Sequence, residues 1–295
     1  MKEGVRIVEV SPRDGWQNID AYIPLDVKIR LVDKMVRAGI KHIQLGSFVS
    51  PENIPQMRET GGLVKAILEI HPTLDAFALV PNRRGLESAM ESGLRKVTWV
   101  ISVSESHNMA NINRTVSESF TSLHEAHLAY PDINIILDAA TSFACPFEGK
   151  TPLDSLLKFV DRGLNAGANI ISLCDTIGMA NPVQVEQSIL ALQKEFPGIQ
   201  LEMHIHDTRN MGMLNCWVAI QNGVTAIQSS LGGLGGCPFT PGATGNTATE
   251  DLVYLLHDSG HDTGIDFDAL LNVAKEMYSL IGGNYSGHQI SICDK

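Results

Sequence analysis

Strand-like and helix-like segments alternate along almost the whole chain. Runs rich in β-branched and apolar residues predict eight strands, at Val5–Val10, Ile40–Leu45, Leu74–Val80, Lys96–Val103, Ile133–Ala139, Ala168–Leu173, Gln200–His206 and Ala226–Leu231. Amphipathic segments between them predict helices, the clearest being Pro24–Ala38, Ser117–Ala129, Pro152–Ala166, Pro182–Phe196 and Arg209–Asn222. Strands that alternate with helices form a parallel sheet, because each helix carries the chain back to the start of the next strand.

About eight such units in 295 residues predict an α/β fold, the closed (β/α)8 or TIM barrel. The alternative is an open, doubly wound sheet. It is less favoured because no G-x-G-x-x-G pattern follows the first predicted strand. We expect the barrel to occupy residues 1–260. Residues 261–295, with a helix at Phe267–Leu280, are predicted to form a short helical appendage packed on the barrel.

The charge and composition of the chain exclude several classes of partner. The formal net charge is −11, and no basic cluster offers the positive surface that nucleic acids or anionic membranes require. No apolar stretch reaches membrane-spanning length, and the N-terminal MKEGVRIVEV enters a strand pattern without signal-peptide character. An odd, scattered set of five cysteines favours reduced thiols and a cytoplasmic protein; they are Cys145, Cys174, Cys216, Cys237 and Cys293.

Polar residues stand where several predicted strands end. In a (β/α)8 barrel the C-terminal ends of all strands meet at one face, and the working residues lie there. We therefore expect one site to collect Arg13 and Asp14 after the first strand, Gln44 to Ser47 at the end of the second, Asp175 after the sixth, and His204 and His206 at the end of the seventh.

His204 and His206 are two residues apart on a predicted strand, so both imidazoles share one face, here the barrel interior. Two neutral imidazoles and a carboxylate suit a divalent ion. A single histidine would be explained by packing or solvation, but the pair followed by Asp207 favours metal binding. Asp14 is the candidate carboxylate, with Arg13 as a fixed cation for oxyanion charge. The alternative is that Arg13 and Asp14 form an ion pair in a surface turn.

The segment Gly232–Gly245, GGLGGCPFTPGATG, contains six glycines, two prolines and one cysteine in fourteen residues. Glycine permits positive φ and close backbone approach while proline fixes φ, so the segment is predicted to be a constrained loop that holds Cys237. We interpret Cys237 as an acid/base thiol, with inert packing as the alternative. Asn246, directly after the loop, either offers a neutral oxygen to a metal or caps the helix predicted to begin at TATED.

Seven motifs, in order along nearly the whole chain, carry a resemblance to a known family. They are VEVSPRDGWQN (residues 8–18), GSFVSPENIPQM (46–57), SVSESHNMANIN (102–113), CPFEG (145–149), DTIG (175–178), HIHD (204–207) and GGLGGCPFTPGATGNTATEDLVYLL (232–256). With these motifs the chain resembles the hydroxymethylglutaryl-CoA lyases, which are aldolase-like metallolyase barrels. The last motif is similar to the cysteine signature of that family.

The resemblance implies a Mg²⁺ or Mn²⁺ ion, a CoA thioester as substrate, and a homodimer or higher homo-oligomer. The implied metal ligands are Asp14, His204, His206 and Asn246. The implied reaction is a retro-Claisen cleavage, in which 3-hydroxy-3-methylglutaryl-CoA yields acetyl-CoA and acetoacetate. The metal ion would lower the cost of deprotonating the substrate hydroxyl.

The resemblance also implies roles for individual side chains. His204 and Asp14 are candidates for the first proton transfer. Arg13 would stabilise the enolate of acetyl-CoA, and Cys237 would protonate it. The implied substrate-binding residues are Arg13, Gln17, Gln44, Ser47 and Asp175, although a role of Asp175 in its strand-to-helix turn is the alternative.

Three positions depart from the family pattern. Gln44 stands where the family usually has glutamate, Ile19 where an acidic residue is common, and Trp16 where leucine is common. The amide of Gln44 cannot act as a base, but it can hydrogen-bond Arg13 or the substrate. These departures motivate a second hypothesis, the same chemistry on a related tertiary 3-hydroxyacyl-CoA.

Two further hypotheses belong to other classes. One is an aldolase or Claisen-type synthase that acts on a 2-oxo acid with the same metal set, and it is less favoured because the GGLGGCP loop is typical of the CoA lyases. The other is a non-catalytic binding or assembly module. It does not explain why a set of candidate metal ligands occurs together with a cysteine held in a constrained loop.

Overall fold

A computed structural model describes residues 4–236 and 245–292. Its strands are β1 (Arg6–Glu9), β2 (His42–Ser47), β3 (Asp75–Val80), β4 (Lys96–Ser102), β5 (Asn134–Ala140), β6 (Ala144–Cys145), β7 (Gly149–Lys150), β8 (Ile170–Asp175), β9 (Leu201–Ile205) and β10 (Ala226–Ser229). Eight of them form a closed barrel in the order β1-β10-β9-β8-β5-β4-β3-β2, while β6 and β7 pair as a separate antiparallel hairpin. The barrel strands are parallel throughout, which confirms the predicted (β/α)8 fold.

Helices follow the barrel strands and surround them. They are α1 (Leu25–Arg37), α2 (Thr60–Ile70), α3 (Arg83–Glu91), α4 (Glu105–Ile112), α5 (Val116–Ala129), α6 (Leu153–Asn165), α7 (Pro182–Glu195), α8 (Gly212–Gln221), α9 (Thr249–Asp258) and α10 (Phe267–Leu280). No helix among residues 4–236 and 245–292 combines the length and apolar character needed to cross a membrane.

The barrel interior is apolar at one level and polar at the next. Alternate strand residues face the surrounding helices, and the others face inward. An inward cluster, separate from the main core, consists of Val8, Val10, Phe77, Ile136, Ile170 and Ala226. Two residues further along β5, β8 and β10, the same faces carry Asp138, Ser172 and Gln228, all buried. Apolar side chains therefore fill one part of the barrel interior, and a layer of buried polar side chains lies nearer its C-terminal face.

The chain after α10 returns to the C-terminal face of the barrel. The backbone N–H groups of Ser286 and Gly287 both donate to the carbonyl oxygen of Gly232, at 3.1 Å. Gly232 has φ +75°, and a Cβ at this position would collide with the ring of Tyr285. Glycine is therefore required here both for its backbone angle and for the close approach of Tyr285. The domain boundary at residue 260 stays a prediction.

Glu250, in the first turn of α9, is a buried carboxyl group whose titration affects stability. Its Oε2 accepts a hydrogen bond from the Gly232 N–H at 2.9 Å, and burial raises its pKa from the ordinary 4.5 to about 8. Between these pH values the folded protein keeps a proton that the unfolded chain has lost. The folded state is therefore progressively disfavoured as pH rises from 4.5 to 8.

We expect Glu250→Gln to flatten this pH dependence, because an amide has no charge to bury. The free energy of unfolding, measured by urea titration at pH 5.5 and pH 7.5, should fall less in the variant. The difference in slope has an upper limit of about 1.4 kcal/mol per pH unit. Glu186→Gln, at an exposed position of α7, is the matched control. Parallel stability curves for Glu250→Gln and the unmodified protein would contradict the expectation.

Candidate metal centre and catalytic site

Asp14, His204 and His206 come together at the C-terminal face of the barrel. Asp14 lies in a buried π-helical turn, Ser11–Gly15, that directly follows β1. Its Oδ2 is 3.8 Å from His204 Nε2 and 3.6 Å from His206 Nε2, and the two Nε2 atoms are 3.1 Å apart. All three residues are buried, and their ligand atoms lie within 4.8 Å of one another. The structure thus brings together three of the four metal ligands that the sequence suggested.

Asn246, the fourth residue of that set, lies beside the other three. It forms an isolated antiparallel bridge with His206, and its Nδ2 donates to Asp14 Oδ2 at 2.7 Å and to the Leu234 carbonyl at 3.0 Å. Its buried Oδ1 has no hydrogen-bond partner within the described part of the chain. The alternative that Asn246 caps the following helix is wrong, because Ala248 is the N-cap of α9.

The charge states of these groups suit a divalent cation. Burial tends to raise the pKa of Asp14, but the Arg13 guanidinium and the two histidines outweigh it and hold that pKa well below its usual range. Burial, together with neighbouring His206, lowers the pKa of His204 to about 3. The set therefore offers an ionised carboxylate and a neutral imidazole near neutral pH, without a proton to displace from either. The unpartnered amide oxygen of Asn246 adds a further hard donor.

Arg13 is fixed beside this centre by contacts around its guanidinium. Nη1 donates to Asp14 Oδ1 at 2.6 Å, and Nε donates to Gln44 Oε1 at 2.6 Å. Nη2 lies 4.0 Å from Asp138 Oδ2. The alternative of an ion pair in a surface turn is wrong, because Arg13 is only 7% and Asp14 only 4% exposed. Arg13 is therefore a fixed cation at the site. Gln44 forms a hydrogen bond with Arg13, which is one of the two partners that the sequence analysis offered for its amide.

Other sequence-predicted residues lie at or near the same face. Gln17 Nε2 donates to Asp14 Oδ1 at 3.1 Å. Ser47, at the end of β2, lines a cavity of about 450 Å³ between the segments that follow β2 and β3. Asp175 uses its two carboxylate oxygens on the backbone N–H groups of Met179 and Ala180, at 2.9 and 3.0 Å, and so holds the turn after β8. Substrate binding by these residues stays a prediction.

Cys237 lies outside the residues that the structure describes, so its predicted acid/base role also stays a prediction.

Trp16 and Ile19, two of the three departures from the family pattern, are both buried in the main core. Any effect of these two side chains on the site would therefore act through packing.

Sequence reasoning missed the polar residues of the barrel interior. Asp138 lies below Arg13, where burial raises its pKa to about 7; Arg13 opposes this increase and Glu202 adds to it. Gln228 Oε1 lies 3.0 Å from His204 Nδ1, and Gln228 Nε2 donates to Glu202 Oε2 at 3.1 Å. The available signal was a carboxylate or an amide inside an otherwise apolar strand, as in IILDAA and AIQS.

Comparisons with known proteins find relatives that match nearly the whole chain. The model of the HMGL-like family matches residues 4–277. A hydroxymethylglutaryl-CoA lyase of Bacillus subtilis is 39% identical over 280 residues, 94% of this chain and 93% of that protein. An (R)-citramalyl-CoA lyase of Chloroflexus aurantiacus is 36% identical, over 95% of this chain and 92% of its own.

Among solved structures, an HMG-CoA lyase of Acinetobacter baumannii in complex with coenzyme A and 3-methylmalate is similar over 97% of this chain and 94% of that chain. The TM-score is 0.92 and the sequence identity 36%. Sequence and fold thus agree with those of these proteins over nearly the full length of the chain. The protein is therefore a member of the HMGL-like family.

Proposed function

We propose that this protein cleaves 3-hydroxy-3-methylglutaryl-CoA to acetyl-CoA and acetoacetate by a metal-dependent retro-Claisen reaction. The observation that carries the proposal is the buried convergence of Asp14, His204 and His206 beside Arg13 at the C-terminal face of the barrel. The hydroxymethylglutaryl-CoA lyase among its relatives supports this choice of substrate.

The proposed metal ligands are Asp14, His204, His206 and Asn246. A bound Mg²⁺ or Mn²⁺ ion would polarise the substrate oxygens and make the C3 hydroxyl easier to deprotonate. The family resemblance alone supports Asp14 and His204 as candidates for accepting that proton: the low pKa of each leaves it unprotonated near neutral pH but also makes it a weak base.

The remaining steps assign roles to Arg13 and Cys237. Cleavage of the C2–C3 bond leaves acetoacetate and the enolate of acetyl-CoA. The guanidinium of Arg13, already oriented by Asp14 and Gln44, would stabilise the negative enolate oxygen without reorganisation. Cys237 would then deliver a proton to the enolate carbon and give acetyl-CoA. Gln17, Gln44, Ser47 and Asp175 are the candidates for orienting the acyl group.

A second candidate is the same cleavage of a related tertiary 3-hydroxyacyl-CoA such as citramalyl-CoA. The Chloroflexus aurantiacus relative favours it. So does the amide of Gln44, which contacts Arg13 at the position where the sequence departs from the family pattern.

An assay of both thioesters tests the proposal. We expect acetyl-CoA to form from 3-hydroxy-3-methylglutaryl-CoA and Mg²⁺, with a kcat/KM at least about tenfold above that for citramalyl-CoA, a difference of about 1.4 kcal/mol in transition-state binding. Excess chelator should abolish turnover, and added Mg²⁺ or Mn²⁺ should restore it. A reversed preference would favour the second candidate. Turnover that persists in excess chelator would contradict the dependence of the reaction on a metal ion. Absence of turnover with both thioesters would favour the non-catalytic alternative.

The cellular setting is also proposed. The cysteines that the structure describes, Cys145, Cys174 and Cys216, are buried free thiols, which supports a reducing cytoplasm. The homodimer or higher homo-oligomer rests on the family resemblance.

A further inference from the structure

A buried polar chain runs from β9 to β10 beneath the candidate metal centre. Gln228 of β10 is paired in register with His204 of β9, and its Oε1 lies 3.0 Å from His204 Nδ1. Its Nε2 donates to Glu202 Oε2 and to Ser172 Oγ, each at 3.1 Å. Gln228 and Ser172 are fully buried and Glu202 is 2% exposed, so these hydrogen bonds have no competition from bulk water.

Glu202 decides which way the amide of Gln228 points. A carboxylate accepts hydrogen bonds and has none to donate, so it must face the NH₂ group of the amide. The carbonyl oxygen of Gln228 then faces His204 Nδ1 and can only accept. His204 therefore carries its proton on Nδ1, and the lone pair of its Nε2 points at His206 and Asp14.

This tautomer is the one that can bind a cation at Nε2. An imidazole with its proton on Nε2 would direct an N–H at the centre and would have to exchange tautomers before binding. The other histidine lacks this support: the Nδ1 atom of His206 is buried with no partner in the described ranges. Of the two imidazoles, His204 is thus the one that the surrounding side chains hold in a fixed protonation pattern.

We propose that Gln228 and Glu202 are positioning residues that lock His204 in its Nδ1–H tautomer and so prepare the site for a divalent cation. The inference rests on the proposed function only in that the site binds such an ion. It assigns no role in bond cleavage to either residue.

Mn²⁺ binding to the metal-stripped full-length protein, without substrate, tests the inference by calorimetry. Gln228→Met keeps most of the side-chain volume and removes the acceptor. We expect Mn²⁺ affinity to fall about 10- to 100-fold, the range typical of outer-shell partners of metal-bound histidine. Gln187→Met, at an exposed position of α7, is the matched control and should leave the affinity within about twofold.

The exchange variant E202Q/Q228E separates positioning from packing. It places a carboxylate next to His204 and an amide next to that carboxylate, so the acceptor for the Nδ1 proton is restored. We expect its Mn²⁺ affinity to return to within a few-fold of the unmodified protein. Nitrogen NMR of ¹⁵N-histidine-labelled protein should show the Nδ1–H form of His204, assigned by its loss in His204→Gln.

Several results would overturn the inference. They are unchanged Mn²⁺ affinity in Gln228→Met, failure of the exchange variant to recover affinity while circular dichroism shows it folded, or an Nε2–H signal for His204. Absent Mn²⁺ binding in the unmodified protein would do the same. A protein that binds Mn²⁺ with the expected pattern but cleaves neither thioester would contradict the proposed function and leave this inference standing.

Discussion

Replacing Asp14 with asparagine is expected to remove divalent-metal binding and to lower kcat/KM at least about 10³-fold, the equivalent of about 4 kcal/mol. Asparagine keeps the size of the side chain and removes its charge. The carboxylate is the only anion in the proposed ligand set. Its Oδ2 also accepts from Asn246 Nδ2 at 2.7 Å, so an amide in that orientation would direct an NH₂ group at Asn246 or at the cation. Mn²⁺ titration by calorimetry and steady-state kinetics with 3-hydroxy-3-methylglutaryl-CoA measure the two effects.

The matched control for this variant is Asp20→Asn. Asp20 follows Asp14 by six residues and is exposed, so the same change in charge occurs away from the buried centre. It should leave both Mn²⁺ affinity and kcat/KM within about twofold, as surface substitutions usually do. If Asp14→Asn bound Mn²⁺ as tightly as the unmodified protein, the metal centre would have to lie elsewhere.

The substitution Arg13→Lys is expected to lower kcat about 10²- to 10³-fold while Mn²⁺ affinity changes little. The guanidinium donates from Nη1 to Asp14 and from Nε to Gln44, both at 2.6 Å. The ammonium group of lysine is a compact point charge, so it cannot form both hydrogen bonds in the directions that the guanidinium uses. Because Arg13 is buried, water does not replace the lost contact, and the cation is misplaced where enolate charge develops. Separate measurement of kcat, KM and Mn²⁺ affinity distinguishes this loss from the loss in Asp14→Asn.

Arg37→Lys serves as the control for Arg13→Lys. Arg37 lies at the end of α1 and pairs with Asp33 on the surface, at 2.9 Å. Its conservative replacement should not alter kcat. A result in which Arg13→Lys raised KM alone would mean that Arg13 contributes to ground-state binding and not to the transition state.

The secondary structure was largely predictable because its signals are local. The helix predicted at Phe267–Leu280 has the same bounds in the structure, and the strand predicted at Val5–Val10 is found at Arg6–Glu9. The turn SPRDG is an instructive difference. Its proline and glycine indicated a turn, but its π-helical form and complete burial depend on packing against the rest of the barrel.

The meeting of distant residues at one face was predictable in outline. The spacing of His204 and His206 places them on one side of a strand, and barrel architecture places strand ends together. The structure brings both next to Asp14, as that reasoning requires. The choice of Gln44 as a partner of Arg13 was one of two that the sequence left open, the other being the substrate.

The inward-facing partners could be found only in three dimensions. Alternation along a strand shows which residues share a face, but not which face becomes the interior. Closure of the barrel between β1 and β10, and the register of each strand pair, made Asp138, Glu202 and Gln228 neighbours of the site. Local apolar periodicity therefore accounts for the helices and strands. The hydrogen bonds that orient Arg13 and His204 join residues 31 and 24 positions apart, and such contacts exist only after the neighbouring strands have paired in register.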